Sequence, residues 1–190
     1  MSDMQIEIIK SKRKTISIQI KNSDTVIVRA PNRCSRREIL TFVNKNRAWI
    51  EEKQNEVRKR EDDLNSVRRL TESELRELAN KALELIPKRV EYYAPLLGVT
   101  YGRITIRNQK TRWGSCSSKG NLNFNVALMR VPMEVLDYVV VHELCHRIHM
   151  NHSEAFWAEV ENVMPDYKVY KRWLKENGDK VLAEVNVRKN

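Results

Sequence analysis

The sequence predicts a chain that mixes strands with helices, and three observations predict it. Apolar and polar residues alternate with a period of two at Ile16, Ile18 and Ile20, and again at Leu122, Phe124, Val126 and Leu128. Elsewhere apolar residues recur at i, i+3 and i+4 over runs long enough for helices. An apolar fraction of 41% with only five Gly and five Pro is enough for a core and excludes a disordered or collagen-like chain. A length of 190 residues fits one domain with a modest appendage.

The polar stretch Lys21 to Asp24 separates the first alternating run from Thr25 to Ala30, which Pro31 ends, so the N-terminus reads as a β-hairpin with one apolar face. Ser35 precedes a helical pattern of Ile39, Phe42, Val43, Trp49 and Ile50. From residue 51 to 69, 12 of 19 residues are charged, with acids and bases interleaved, as suits a solvated helix or helical linker. The domain boundary is expected near there, giving 1–70 as hairpin and long charged helix and 71–190 as the larger domain. Thr71 and Glu74 have the form of a capping box. The helix they open carries Leu75, Leu78, Ala79, Ala82, Leu85 and Ile86, with Pro87 expected to kink or end it and Pro95 with Gly98 to close it. A short strand at Ile104 and Ile106, a loop from Lys110 to Gly120, and a strand over 121–129 follow. Pro132 then precedes a helix from about Met133 to His149, and a further helix starts near Ser153.

Lys and Arg number 35 against 25 acids, a net charge of +10, with +7 of it in residues 1–70. A basic front half suits nucleic acid, an anionic partner or only water. The densest apolar stretch, Val135 to Val141, is too short for a bilayer and contains Asp137. Met1 to Lys14 lacks an apolar signal core, so the cytoplasm is the expected location. Cys34, Cys116 and Cys145 form no CxxC pair and read as reduced thiols.

All four histidines, His142, His146, His149 and His152, fall within eleven residues. On a helix His142 and His146 lie about 40° apart in azimuth and about one turn apart in height, so both imidazoles can grip one metal ion. Glu143, next along, can reach a water on that ion without ligating it, which is the zincin arrangement of two His ligands and a Glu base. His152 stands at the spacing of the extended motif His-Glu-x-x-His-x-x-Gly-x-x-His, with His149 where that motif has Gly. The turn must therefore be made differently, with Asn151 and Ser153 as the places for the break. Glu154, Glu159, Glu161 and Asp166 are the acidic alternatives for a third ligand. His149 lies roughly 10 Å from His142 along a continuous helix, too far to share the ion with both others. Cys145 points to another face and reads as core.

Taken with its surroundings, this motif resembles a known family. Thr111-Arg112-Trp113-Gly114-Ser115-Cys116-Ser117, Gly120, the Asn-rich strand, Pro132, His-Glu-Leu-Cys-His, His152, Phe156-Trp157, Pro165-Asp166-Tyr167 and Trp173-Leu174 follow one another as in the YgjP-like metal-dependent hydrolases. These are small zincin-type metallopeptidases, more distantly similar to the SprT-like and Wss-like zinc proteases. The resemblance is strong over residues 85–178. It implies an α+β zincin fold whose active-site helix adjoins a mixed sheet. It also implies one Zn²⁺ per chain at His142, His146 and His152, with Glu143 as catalytic base.

An edge strand over 121–129 would pair with an extended peptide substrate, although its alternation suits an interior strand equally. Asn123 and Asn125 on that strand, Arg112 as partner of a substrate carboxylate, and Tyr167 as donor to the tetrahedral intermediate are candidate substrate-binding residues. Trp113, Phe156, Trp157 and Trp173 read first as core, and Gly114 as a turn residue. The expected function is a zinc metallopeptidase. The alternatives are a nucleic-acid-associated protease recruited by the basic N-terminal half, of the DNA–protein crosslink type, and a non-catalytic zinc-stabilised binding module.

Overall fold

The side chain of Asn22 reverses the chain in the first hairpin. Its Oδ1 accepts from the backbone amides of Asp24 and Thr25 at 3.0 and 2.7 Å, an Asx turn. In the computed structural model, which describes residues 4–186, the flanking strands β2 (Ser17–Ile20) and β3 (Thr25–Pro31) pair antiparallel, with Ile18 opposite Val28. A further strand, β1 (Gln5–Ser11), lies parallel to β3 on its other side, so the hairpin is two-thirds of a three-stranded sheet of order β1-β3-β2.

Ser35 caps helix α1 (Arg36–Lys45), with Glu38 bonding back to the Ser35 amide at 2.7 Å. Val26, Val28 and Ala30 of the sheet pack with Ile39, Val43 and Ile50 in one small core. Helix α2 (Arg47–Ser66) buries only Ile50 and Gln54, as its interleaved charge requires. These elements form one compact unit, Met1–Ser66, and the rest of the chain, Val67–Asn190, forms a second.

In the second unit the Thr71–Glu74 capping box opens helix α3 (Glu72–Leu96). Of the two outcomes expected at Pro87, a kink or an end, α3 does not end there. Proline removes the hydrogen bond to the carbonyl four residues earlier. That residue, Leu83, is 60% exposed, while Ala82, Ile86 and Val90 on the opposite face are fully buried and hold the helix in place. Gly98, at φ 63°, turns the chain after the helix and donates to the carbonyl of Pro95 at 3.0 Å.

The second sheet has the order β4-β6-β5, from β4 (Ile104–Arg107), β5 (Gly114–Cys116) and β6 (Leu122–Asn125). Strand β4 runs parallel to β6 and β5 antiparallel to it. Two expectations change here. The segment from Lys110 to Gly120 is not all loop, since β5 lies within it. The strand expected over 121–129 is also not an edge: β6 is central, and it stops at Asn125. There the Asn125 Oδ1 accepts from the Ala127 amide at 3.0 Å and starts a 3-10 turn over Val126–Arg130.

Helix α4 (Met133–Cys145) follows Pro132, then α5 (Glu154–Val163) and α6 (Tyr167–Val185). Helix α4 is the core of this unit, burying residues around its whole circumference from Val135 to Cys145. Asp137 is among them. Its carboxylate is held by two bonds of 2.6 Å from the Arg89 guanidinium and one of 3.1 Å from the Tyr93 hydroxyl.

No helix of the described residues is long and apolar enough to cross a membrane.

Replacing Arg89 with Met leaves Asp137 buried without its cation and should lower unfolding free energy by about 3 kcal/mol. The double replacement Arg89→Met with Asp137→Leu should recover much of that loss. Urea denaturation of the two variants measures both.

Candidate metal centre

His142 stands on the last turn of α4 and His146 caps its C-terminus, and the chain then turns back at once. The helix ends at Cys145 rather than running to His149. The amides of Arg147 and Ile148 return to the carbonyls of Leu144 and Cys145 at 2.8 and 3.0 Å, and the His149 amide also reaches Cys145 at 3.0 Å. Among the described residues no non-glycine has positive φ, so His149 serves where the extended motif has Gly without a left-handed backbone. Ser153 then caps α5, accepting from the Phe156 amide at 3.4 Å, and Asn151 accepts from the Ser153 amide at 3.3 Å.

This reversal brings His152 back to the helix. Its Nε2 lies 3.1 Å from the Nε2 of His142, and one ring nitrogen from each of His142, His146 and His152 falls within 4.8 Å of the others. The Nδ1 of His146 is 3.0 Å from the carbonyl oxygen of His149. A carbonyl only accepts, so Nδ1 is the donor in this bond. The Nδ1 of His142 is buried and has no hydrogen-bond partner. Phe156 forms the apolar floor, with its ring centroid 5.0, 4.7 and 4.9 Å from those of His142, His146 and His152.

Burial drives the His142 pKa down to about 3, assisted by the charges of His146, His152 and Lys171. Burial also lowers that of His152, with help from His146 and Lys171. Near neutral pH the two imidazoles are therefore uncharged, and each has one ring nitrogen free of a proton to offer a metal. Such a set of borderline nitrogen donors fits a divalent first-row cation such as zinc.

Glu143, one residue along from His142, is 5% exposed, and burial pushes its carboxyl up to about 8. Strand β5 lies against it. A Cβ added to Gly114 would come within 2.7 Å of the Glu143 Oε1 and 2.8 Å of its Cγ. Gly114 is thus a strand residue that admits the carboxyl side chain, and not the turn residue expected.

The remaining expected site residues fall in different places. Tyr167 joins the centre's aromatic wall, its ring stacked on Trp157 at 5.3 Å and on Tyr138 at 6.4 Å. Asn123 bonds across the sheet, accepting from Arg107 at 3.1 Å and donating to Ser115 at 3.2 Å. Asn125 is fully buried, and its amide donates to the carbonyls of Gln109 and Arg112 at 2.7 Å each, so it is a strut for that loop with no surface to offer a substrate. Arg112 is exposed and contributes its main-chain carbonyl to that strut. Of the acidic alternatives for the third ligand, Glu161 pairs with Lys168 at 3.1 Å, and none belongs to the nitrogen cluster. The close approach of Gly114 to the Glu143 carboxyl and the use of the His149 main-chain carbonyl were not legible in the sequence, although a cleft-wall role for the 113–116 segment and a supporting role for His149 were among its readings. An isolated glycine outside a turn dipeptide was the one available signal for the first, and the second has none.

The α+β fold around this centre is that of a metallopeptidase domain. The chain belongs to the YgjP-like family: the model of the YgjP-like metallopeptidase domain matches residues 14–77 and 65–177. Membership places it among hydrolases that act on peptides or proteins with a bound metal. Among solved structures it is similar to the metallopeptidase zymogen abylysin of Pyrococcus abyssi, at 27% identity over 48% of this chain and 94% of that one, with a TM-score of 0.45. It is also similar to the zymogen jannalysin of Methanocaldococcus jannaschii, at 22% identity over 48% and 95%, with a TM-score of 0.44. No curated protein matches.

Gly114→Ala should displace the Glu143 carboxyl while sparing the three histidines. Peptide hydrolysis is expected to fall by about 100-fold, the scale on which one positioned acid–base group contributes, with metal content by mass spectrometry unchanged. A variant as active as the parent would show that the carboxyl does not need its observed position.

Proposed function

We propose that the chain is a zinc metallopeptidase in which His142, His146 and His152 hold the ion and Glu143 is the general base. The observation that carries this reading is the convergence of three imidazole nitrogens, from His142, His146 and His152, beside the buried carboxyl of Glu143. When bound, zinc supplies Lewis acidity, polarising a peptide carbonyl and making water more acidic.

The chain's own residues do the rest. The His149 carbonyl fixes the His146 ring and its tautomer, which keeps Nε2 aimed at the cluster. Phe156 shields one side of the three rings from water, which strengthens electrostatic interactions there. Glu143 accepts a proton from the attacking water and delivers it to the leaving amine. Burial raises the affinity of the Glu143 carboxylate for a proton above that of an exposed carboxylate, which makes it the stronger base. The substrate strand is assigned to the edge that β5 offers. Among the described residues strand β5 pairs only with β6, and its Gly114 lies against Glu143, so an extended peptide bonded to β5 would pass close to the carboxyl.

No observation favours the alternatives. In the first unit Lys21, Arg47, Lys53 and Arg58 are paired with Glu7, Glu51, Glu56 and Asp24, so those four cations are engaged within the chain. A purely structural zinc site has no use for a buried carboxyl beside three ligands and is usually closed by a fourth.

Two variants test the reading. Glu143→Gln should retain close to one zinc per chain and lose peptide cleavage by about 100-fold or more; cleavage at the parental rate would remove Glu143 from the role of base. His152→Ala should release the metal to a chelator that the parent resists, as read by metal analysis after dialysis. Equal retention would show that the third ligand lies elsewhere.

A further inference from the structure

Helix α6 carries Lys168, Lys171, Arg172 and Lys175 at positions i, i+3, i+4 and i+7, which places all four on one face. Lys168 is paired with Glu161 at 3.1 Å. Lys171, Arg172 and Lys175 make no ion pair among the described residues. The ammonium of Lys171 sits 3.9 Å from the centroid of the Trp157 ring. That indole lies 5.8 Å, centroid to centroid, from both His142 and His152.

A cation over an indole face is held in position without being neutralised, because the ring supplies a quadrupole and no net charge. The ring that carries the Lys171 ammonium is the one that adjoins both His142 and His152. The imidazoles offer the ammonium no negative charge, and Glu143 is buried against β5. A fixed, uncompensated ammonium thus borders the place where a substrate would lie.

We propose that Lys171, backed by Arg172 and Lys175, selects acidic peptides by binding a substrate carboxylate beside the three histidines. The inference rests on the peptidase reading and names the substrate class for the same site. The carboxylate has two possible sources, an Asp or Glu side chain near the scissile bond or the α-carboxylate of a peptide C-terminus. Both present two acceptor oxygens to an ammonium donor, and a basic ridge also raises the local concentration of anionic substrate.

The test uses matched fluorogenic peptides that differ only in carrying Glu, Gln or Lys beside the cleavage site, each with a free or an amidated C-terminus. The zinc-loaded parent should prefer the Glu peptide to the Gln peptide by about tenfold in kcat/KM, with the preference shrinking as salt rises. Lys171→Ala should collapse that ratio, and Lys171→Glu should invert it toward the Lys peptide. A second readout is independent of turnover: fluorescence anisotropy of labelled peptides on Glu143→Gln should give the same order of Kd values. A preference that survives amidation assigns the side chain, and one that vanishes with it assigns the C-terminus. Glu and Gln peptides bound and cleaved alike, or a preference unmoved in Lys171→Glu, overturns the proposal. Selective binding of the Glu peptide with no cleavage of any peptide by the parent leaves carboxylate recognition standing and overturns the peptidase reading instead.

Discussion

Helix α4 buries ten of its thirteen residues, and three of the groups it carries into that interior, Asp137, His142 and Glu143, would ordinarily be charged or half-charged in water. Taking a charge out of water costs several kcal/mol unless it is paired or suppressed. The helix meets that constraint in three ways. Asp137 is paired, because Arg89 and Tyr93 reach in from α3 to surround it. Glu143 takes up a proton more readily, and His142 gives its proton up. The first solution ties two helices together. The other two leave groups whose protonation is open to whatever enters the centre.

The same burial accounts for where the functional atoms sit. A helix packed on all sides cannot present side chains along its length, so its chemistry is confined to its C-terminal end, where the chain leaves the core. Ending α4 at Cys145 exposes the ring edges of His142 and His146, and the tight return through Arg147 and Ile148 brings His152 into reach. Strand β5 closes the other side because Gly114 has no side chain to keep it from the Glu143 carboxyl.

Much of this was legible in the sequence because it depends on local periodicity and capping. The pair His142 and His146, the caps Ser35, Thr71 and Ser153, and the one-faced hairpin all follow from spacing or side-chain chemistry within a few residues. What was not legible depends on partners distant in the chain. Three residues, Gly-Ser-Cys, are too few to show alternation, so β5 was hidden inside a loop. The end of β6 is set by one amide turning back on Ala127, and the survival of α3 past Pro87 by the core beneath it. Alternation along 121–129 carried no sign that β6 would be flanked on both sides. Lys171 looked like one more base in a basic chain until the packing of α6 set it over Trp157.

The bond that orients His146 has a consequence for how this protein would look to mutagenesis. Its acceptor is the main-chain oxygen of residue 149, which every amino acid possesses. Side-chain replacement at that position cannot delete the contact, so a scan through the chain would pass over it and rank the position as tolerant. Only a change to the backbone itself, such as an ester in place of the following amide to weaken that oxygen as an acceptor, would expose it. The orientation of a central ring is thereby insulated from most single-codon changes, and position 149 is free to vary in side chain while the fold keeps its oxygen in place.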